Sequence, residues 1–282
     1  MLDQAKMTAL RLLPKNSISR AVGALSELEL PQPLRGPINS SFAQLAGINL
    51  GESESAPDAY ASVNAFFTRR LREGARDIEA NKAGDLVSPS DGRLSTFGRI
   101  EAETLVQAKG KNYRLVDLVD SGRDAERFVG GHFATVYLSP RDYHRVHSPA
   151  SGVVSKVSYI PGQLFPVNPL AVRNVSELFA VNERLISYVE EPALGVVGVV
   201  MVGATCVGKM SLAFHGLKTN GRFRRREDIE ISGTQLEAGD ELGMFNLGST
   251  VVLLIGSQNF EFRSDLTEGM TLRMGELLGR TL

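Results

Sequence analysis

A serine close to the carboxyl end of the chain is the residue best placed to do chemistry. Ser249 follows Gly248 directly and precedes the apolar run 251–255, a pattern that indicates the start of a strand. Gly248 has no Cβ, so its carbonyl carbon is open to the neighbouring hydroxyl. We interpret the pair as a self-cleavage site: Ser249 Oγ attacks the Gly248 carbonyl, the peptide becomes an ester, and elimination with hydrolysis leaves a pyruvoyl group. The alternative is a plain glycine-serine turn entering a strand.

A hydroxyl nucleophile is weak without a base, and histidine takes a proton most readily near neutral pH. His144 and His147 both fall in the segment 139–149, which contains Pro140 and Pro149. Two histidines three residues apart could also be metal ligands on one helical turn. The prolines disfavour a long helix, and no glutamate separates the histidines as in the zincin motif. A purely structural role for both histidines stays open.

A histidine base needs a group that orients it, and Asp91 is the candidate carboxylate. It precedes Gly92 in a predicted turn before a strand. An aspartate in such a turn often bonds only its own backbone. The sharper hypothesis is that Asp91 fixes the tautomer of His147. Together with Ser249 it would complete a serine-histidine-aspartate relay drawn from three distant segments, a site defined by geometry and not by sequence order.

Composition limits the classes of protein that need to be considered. The chain has 282 residues, 43% hydrophobic and 22% charged, with a net charge of −1, so nothing in its charge favours nucleic acid. Its single cysteine, Cys206, excludes an intrachain disulfide. No apolar run reaches the roughly 20 residues that span a bilayer. We therefore expect a soluble protein or one attached to a membrane surface.

The first part of the chain predicts helices. Residues 1–25 have helical spacing in two pieces separated by Pro14, and basic residues outnumber acidic ones over 1–20. A basic amphipathic start could lie on an anionic membrane face or could pack on the domain. The three prolines within 31–37 predict a linker or turn. Residues 41–50 predict a short helix ending near Gly47, and residues 62–72 predict another helix.

The character of the sequence changes after residue 85. Short segments rich in β-branched and aromatic residues alternate with glycines, and they leave little room for helical crossovers. The predicted strands are 92–100, 133–138, 152–160, 186–189, 196–202 and 249–255. The ending 269–279 suits a final small hairpin. We expect an α+β fold, with a mainly antiparallel, sandwich-like or barrel-like β core over 81–282 behind amphipathic helices within 1–80.

Several motifs, taken in this order, resemble one known family. They are residues 12–15, 19–20, 66–71, 74–76, 87–92, 109–110, 138–149, 162–168, 202–205 and 247–250. With them the chain resembles the bacterial phosphatidylserine decarboxylase proenzymes, which depend on a pyruvoyl group and make phosphatidylethanolamine. The resemblance covers most of the chain.

The resemblance implies a role for each candidate residue. Asp91, His147 and Ser249 match the family's self-cleavage relay, with the break between Gly248 and Ser249. The products would be a β chain, 1–248, and an α chain, 249–282, headed by the covalent pyruvoyl group made from Ser249. His144 matches the histidine that serves the substrate reaction, and we expect it to be the proton donor. No pyridoxal phosphate and no metal are expected.

The resemblance also implies a mechanism and a location. The amine of phosphatidylserine would form a Schiff base with the pyruvoyl ketone, which accepts the electrons released as carbon dioxide leaves. The processed heterodimer would pair as a homodimer and bind peripherally to the cytoplasmic side of the cell membrane. The basic run 222–226 could meet anionic headgroups or could be a solvated face.

Two other functions and one other substrate remain open from the residues alone. A serine hydrolase could use Asp91, His147 and Ser249 on an external ester, with an intact chain. A non-catalytic, carrier-like β module would also keep its chain intact and would show no carbonyl chemistry. Within the decarboxylase hypothesis, a soluble phosphoserine-type substrate is the alternative to the lipid.

Overall fold

The computed structural model describes residues 13–101, 103–108, 111–205, 209–219, 225–246 and 249–282. Helices dominate the part before residue 70. They are α1 (Lys15–Ser26), α2 (Gln32–Ala46) and α3 (Val63–Phe67), with single 3₁₀ turns at Leu50–Glu52 and Pro57–Ala59 between the last two.

Sixteen strands are found in the described residues. They are β1 (Asp85–Val87), β2 (Gly92–Arg99), β3 (Thr104–Ala108), β4 (Lys111–Arg114), β5 (His132–Leu138), β6 (Arg145–His147), β7 (Gly152–Ile160), β8 (Arg184–Glu191), β9 (Gly195–Val202), β10 (Lys209–Leu212), β11 (Glu227–Leu236), β12 (Glu241–Asn246), β13 (Ser249–Ile255), β14 (Phe260–Phe262), β15 (Thr271–Leu272) and β16 (Leu277–Thr281). Short helices interrupt them at α4 (Leu115–Val119), α5 (Gly122–Glu126), α6 (Pro169–Asn174) and α7 (Leu178–Val181).

Most of the strands join one large antiparallel sheet. Its order is β11-β7-β8-β9-β13-β5-β2-β15, and its two outer strands are β11 and β15, so this sheet does not close on itself. Two three-stranded sheets, β1-β16-β14 and β10-β12-β6, and the hairpin β3-β4 complete the set. The α+β class and the antiparallel core are confirmed, whereas the strands in the described ranges form no closed barrel.

The core lies against the centre of the large sheet. β13 pairs with β5 on one side and β9 on the other, and its residues 251–255 are all fully buried. A strand that is covered on both faces has no solvent-facing positions, which is why its sequence is continuously apolar and does not alternate. The strand that follows the proposed cleavage site is therefore among the most deeply embedded in the molecule.

Two of the three N-terminal prolines lie in a helix and not in the linker or turn that the sequence predicted, whereas Pro31 directly precedes that helix. Helix α2 begins at Gln32, contains Pro33 in its first turn and Pro37 inside, and ends at Ala46, where Gly47 caps it with a φ of 76°. A proline in the first turn loses no hydrogen bond, because amides there have no partner within the helix. Because Pro37 has no N–H, the helical hydrogen bond to the carbonyl oxygen of Pro33 is missing. The 15-residue helix tolerates this loss near its start.

Two other predictions of secondary structure were wrong in detail. The helix expected over 62–72 ends at Phe67, because the chain then runs beside 52–54, where Arg72 N donates to Glu52 O and Glu54 N to Arg70 O. The expected terminal hairpin is replaced by longer-range pairing. Strand β15 pairs with β2, whereas β16 pairs with β1 and β14.

No helix in the described ranges is long and apolar enough to cross a membrane.

Candidate active site

The strand register brings the candidate residues to one end of the large sheet. Ser249, the first residue of β13, lies opposite Leu138, the last residue of β5. On the other side of β5, Arg93 of β2 lies opposite Tyr137, so Asp91 comes to the same end. The segment that follows Leu138 carries both histidines. Gly248 and the Ser249 side chain lie outside the described part.

Asp91 is a buried carboxylate held by an arginine. Its Oδ1 accepts from Arg76 Nε at 2.8 Å and from the backbone N of Met274 at 2.9 Å, and Arg76 Nη2 bonds its Oδ2. Arg76 Nη2 also reaches Glu52 Oε2 at 2.8 Å. Burial disfavours the charged guanidinium, but the bonds to the two carboxylates outweigh it and raise the pKa of Arg76. Asp91 therefore sits in a fixed ionic cluster.

His147 is held between a backbone carbonyl and a tyrosine. Its Nδ1 lies 2.7 Å from Gly239 O and its Nε2 lies 3.1 Å from Tyr143 Oη. Because a carbonyl oxygen only accepts, Nδ1 must carry the proton, and neutral Nε2 accepts from the tyrosine hydroxyl. Burial lowers the pKa of His147, and the bond to Gly239 offsets this only in part. His147 is thus a neutral imidazole whose basic atom is Nε2.

Asp91 and His147 are neighbours without being bonded. Within the ranges that the structure describes, no hydrogen bond joins the two, and the tautomer of His147 is set by Gly239. His147 lines a cavity of about 350 Å³ and Asp91 lines an adjoining one of about 210 Å³, with Arg76 and Tyr143 lining both. The negative charge of Asp91 is among the minor influences that raise the pKa of His147.

His144 has the same tautomer in a drier setting. Its side chain is fully buried, and its Nδ1 donates to Asp142 O at 2.8 Å. The ring packs on Phe67 with centroids 4.0 Å apart. Nε2 is buried and has no hydrogen-bond partner among the described residues. Burial, with a smaller contribution from the charge of Arg69, lowers the pKa of His144 to about 3. The ring therefore offers an unpartnered acceptor at Nε2.

The strand that leads to residues 247 and 248 is fixed beside these histidines. Strand β12 pairs with β6, and Phe245 N donates to His144 O at 3.0 Å. At its end, Asn246 Nδ2 donates to Lys209 O at 3.1 Å, and Asn246 Oδ1 accepts from Asn64 Nδ2 at 3.0 Å. Helix α3 is thereby linked to the chain two residues before the proposed scissile bond.

Sequence reasoning did not single out several of these side chains. Tyr143 precedes His144 within the same motif, and Arg76 ends the motif 74–76. Both residues therefore lay in motifs that the sequence analysis noted, but their roles at the site were not predicted. Asn64 and Gly239 had no such signal, because their roles depend on contacts with residues 182 and 92 positions away.

The proposed contact between the basic run 222–226 and lipid headgroups can be examined only in part. Residues 222–224 lie outside the described part. Arg226 forms ion pairs with Asp120 at 2.9 Å and Asp228 at 2.9 Å, so its charge is already matched within the protein. This arginine does not supply a free cation for lipid headgroups.

Comparisons with known proteins identify the family. The family model described as phosphatidylserine decarboxylase matches residues 63–280. A phosphatidylserine decarboxylase proenzyme of Anaeromyxobacter sp. (strain K) is 45% identical over 99% of both chains. Proteins of the same name from Myxococcus xanthus (38% identical over 99% of both chains) and Brevibacillus brevis (39% over 94% of both) are also similar. The resemblance drawn from the motifs is confirmed, and this chain belongs to the phosphatidylserine decarboxylase family.

Proposed function

We propose that this chain is a proenzyme that cleaves itself between Gly248 and Ser249 and then decarboxylates phosphatidylserine to phosphatidylethanolamine. The observation that carries the proposal is that Ser249 opens a central strand at the sheet end where a neutral, buried His147 and the carboxylate of Asp91 also lie. The names of the relatives support both the substrate and the processing.

For self-cleavage, His147 is the base. Its Nδ1 proton is held by Gly239 O, so Nε2 is the atom that receives the Ser249 proton. The Tyr143 hydroxyl occupies Nε2 here, and the proton reaches His147 only if this hydroxyl moves or relays it. We assign Asp91 an electrostatic part: its charge favours the imidazolium that forms, while Arg76 holds the carboxylate in place.

For the substrate reaction, His144 is the proton carrier. Once formed from Ser249, a covalent pyruvoyl group would supply the carbonyl for the lipid amine and the sink for the electrons released with carbon dioxide. The lipid ammonium must first lose a proton, and the unpartnered Nε2 of neutral His144 is the proposed acceptor. Its pKa, lowered by burial to about 3, opposes this transfer and makes the resulting imidazolium a strong proton donor. The same proton then goes to the α-carbon after carbon dioxide leaves, so His144 accepts before it donates. No pyridoxal phosphate and no metal are required.

For access to the lipid, residues 1–80 provide the membrane-associating segment and 81–282 the catalytic domain. Eleven large apolar side chains are exposed among the described residues, and six of them fall within 13–50. They are Leu13, Leu25, Leu28, Leu34, Leu45 and Leu50. Such a concentration of exposed leucines fits a peripheral attachment at the cytoplasmic face of the cell membrane. The processed α/β unit would pair as a homodimer there.

The decisive experiment is intact-mass spectrometry of the denatured protein beside a Ser249→Ala variant. We expect fragments of residues 1–248 and 249–282 in the wild type, the shorter one with a hydrazine-reactive pyruvoyl terminus, and one intact chain in the variant. Formation of phosphatidylethanolamine from phosphatidylserine vesicles should accompany cleavage. A folded wild type that stays intact and reacts with a fluorophosphonate would overturn the proposal in favour of a serine hydrolase.

A further inference from the structure

Arg69 is a buried cation that no carboxylate of the described residues pairs with. Its side chain belongs to a residue that is only 3% exposed. Among the described residues, the guanidinium makes one long hydrogen bond, from Nη1 to Phe67 O at 3.5 Å, and its Nε has no hydrogen-bond partner. Its central carbon lies 5.6 Å from the centroid of the Phe66 ring, a cation–π contact that compensates the charge only in part. No ion pair of Arg69 is found in the described part of the chain. A buried charge in this condition is unfavourable unless something compensates it.

A second buried arginine, Arg184, has its hydrogen-bond donors paired with protein atoms. Arg184 is also 3% exposed. Its guanidinium donates to the carbonyl oxygens of four residues, Asp117, Leu118, Ala180 and Asn182. These bonds close the ends of short helices, a stabilising role that Arg69 does not have. Arg69 is equally buried but makes far fewer hydrogen bonds within the described part of the chain, so its guanidinium keeps donors free for a further partner.

The nearest acids are already engaged elsewhere. Burial lowers the pKa of Arg69, and the charges of Asp91 and Glu52 oppose this shift only in part. Both carboxylates bond to Arg76, which lies between them. The missing partner of Arg69 is therefore an anion that the described residues do not provide.

Arg69 lines the cavity of about 210 Å³ that also touches Asp91 and Tyr143. At about 30 Å³ for each water in the liquid, this space holds several waters, or an anion of phosphate size. Arg141 and Arg273, whose side chains are each 65% exposed, also line it. Two buried guanidinium groups, those of Arg69 and Arg76, and two exposed ones thus line the space. The carboxylates of Glu52, Asp91 and Asp142 line it as well, and Arg76 already bonds the first two of them. Arginine suits tetrahedral oxyanions because its planar fork donates two parallel bonds.

We propose that Arg69 binds the phosphodiester of the lipid headgroup in this cavity, an inference that rests on the proposed function. Phosphatidylserine carries two anions, the phosphodiester and the serine carboxylate. An arginine on the carboxylate would stabilise the very charge that must leave with carbon dioxide, and so it would favour the ground state over the transition state. The phosphodiester is unchanged by the reaction, so binding it orients the headgroup without that penalty.

The position of Arg69 beside the reacting histidine supports this assignment. Phe67, two residues earlier, packs on the His144 ring, and the charge of Arg69 is one cause of the lowered pKa of His144. An anion bound to Arg69 would cancel part of that charge and make His144 a better proton acceptor. Headgroup binding would thereby prepare His144 for the substrate step.

The first test uses precursor protein locked by Ser249→Ala, with sn-glycero-3-phosphoserine as a water-soluble probe. Thermal unfolding should show stabilisation by the probe in this background. The stabilisation should be lost when Arg69→Gln is added and kept when Arg70→Gln is added, since Arg70 is adjacent and its side chain is 62% exposed. Stabilisation that survives Arg69→Gln would overturn the proposal, as would stabilisation by inorganic phosphate alone and not by the glycerophosphodiester.

Stability without ligand separates a binding role from a structural one. Removing a buried, unmatched charge should leave the melting temperature of Arg69→Gln equal to or above that of its parent. Arg184→Gln, which strands several backbone carbonyls, should lower it. A comparable loss in both variants would mean that Arg69 is structural and would contradict the proposal.

The second test uses the processed enzyme and water-soluble short-chain phosphatidylserine. For the processed Arg69→Gln enzyme, KM should be at least about tenfold above that of the processed wild type, as expected for losing a charged hydrogen bond. Normal cleavage with an unchanged KM overturns the headgroup site and leaves the proposed function intact. Failure of the wild type itself to cleave would instead sink the proposed function.

Discussion

The tautomers of His144 and His147 are fixed in the same way, by a hydrogen bond to a backbone carbonyl, although we propose different roles for the two residues. Each donates Nδ1–H to a carbonyl oxygen, so each presents an unprotonated Nε2. That atom meets the Tyr143 hydroxyl in His147 and has no described partner in His144. The same tautomer thus gives His147 a basic Nε2 that is already hydrogen-bonded, and gives His144 an Nε2 that is available to the substrate. Local environment, and not residue type, separates their proposed roles.

Self-cleavage should depend on pH through His147. Burial lowers the pKa of His147 from its ordinary value of 6.5, so the imidazole stays neutral and basic at neutral pH. The rate of precursor conversion should be flat above about pH 6.5 and should fall only below it, as the base becomes protonated. Cell-free translated precursor, sampled over time on denaturing gels, gives the rate. A decline that begins above about pH 7 would contradict the assignment of His147 as the base.

Asp91 should act together with Arg76. Removing one partner of a buried ion pair strands the other charge, so Asp91→Asn and Arg76→Gln should each destabilise the Ser249→Ala precursor by up to about 3 kcal/mol in urea unfolding. In the Ser249 background both variants should slow cleavage. The double variant should be little worse than either single one, because the pair acts as a unit. Additive losses in rate would show that Asp91 acts on cleavage independently of Arg76.

At the scale of elements, helix α3 holds the site together although it has only five residues. Ser62 caps it by accepting from Ala65 N at 3.0 Å. Asn64 reaches Asn246, Phe67 packs on His144, and Thr68 O, just past its end, accepts from Arg145 Nε at 2.9 Å. A single helical turn is unstable in isolation, so tertiary packing must maintain these contacts.

Phe66 and Phe67 allow packing and catalysis to be separated. Both are buried, but Phe66 packs on Phe42 and Tyr60, whereas Phe67 also touches His144. Leucine at either position should cost about 1–2 kcal/mol in stability. Only Phe67→Leu should also lower kcat, by at least about tenfold, since a displaced His144 loses its alignment. Thermal unfolding and steady-state assays of processed enzyme decide this, and equal kcat values in the two variants would refute a positioning role for Phe67.

At the scale of the whole molecule, cleavage should not separate the products. The proposed short fragment supplies β13, which hydrogen-bonds to β5 and β9, and β16, which pairs with β1 and β14. The fragments should therefore co-elute in native size exclusion, at the volume of the uncut Ser249→Ala chain, and separate only in denaturant. Loss of the short fragment in native buffer would mean that the central strand is not held as described.

Membrane attachment should depend on the exposed leucines of the N-terminal helices. Leu25 and Leu45 are 69% and 89% exposed, and burying one leucine contributes about 1.5–3 kcal/mol. Leu25→Glu or Leu45→Glu should each reduce co-sedimentation with phosphatidylglycerol vesicles by about tenfold without slowing self-cleavage. Val129→Glu, at an exposed position remote in sequence, serves as the control. Equal binding by all three variants would remove residues 13–50 from the membrane contact.

The sequence by itself determined the local parts of this protein. Strands β7 and β13 begin and end at the predicted residues, and β2, β5 and β9 differ from the prediction by one residue. A buried strand can be predicted this closely because its apolar residues and its flanking turn residues are consecutive in the sequence. The motifs also determined the family. Asp91, His144, His147 and Ser249 were singled out because few other residues combine the required chemistry with a motif.

The tertiary structure alone decided how distant residues meet. The prolines of α2, the early end of α3 and the separate partners of β15 and β16 follow from contacts that local patterns do not encode. The tautomer of His147 depends on a carbonyl 92 positions away. Arg69 has no carboxylate partner among the described residues because Asp91 and Glu52 both bond to Arg76. A residue's charge is visible in sequence, whereas its partners are fixed only when the chain is folded.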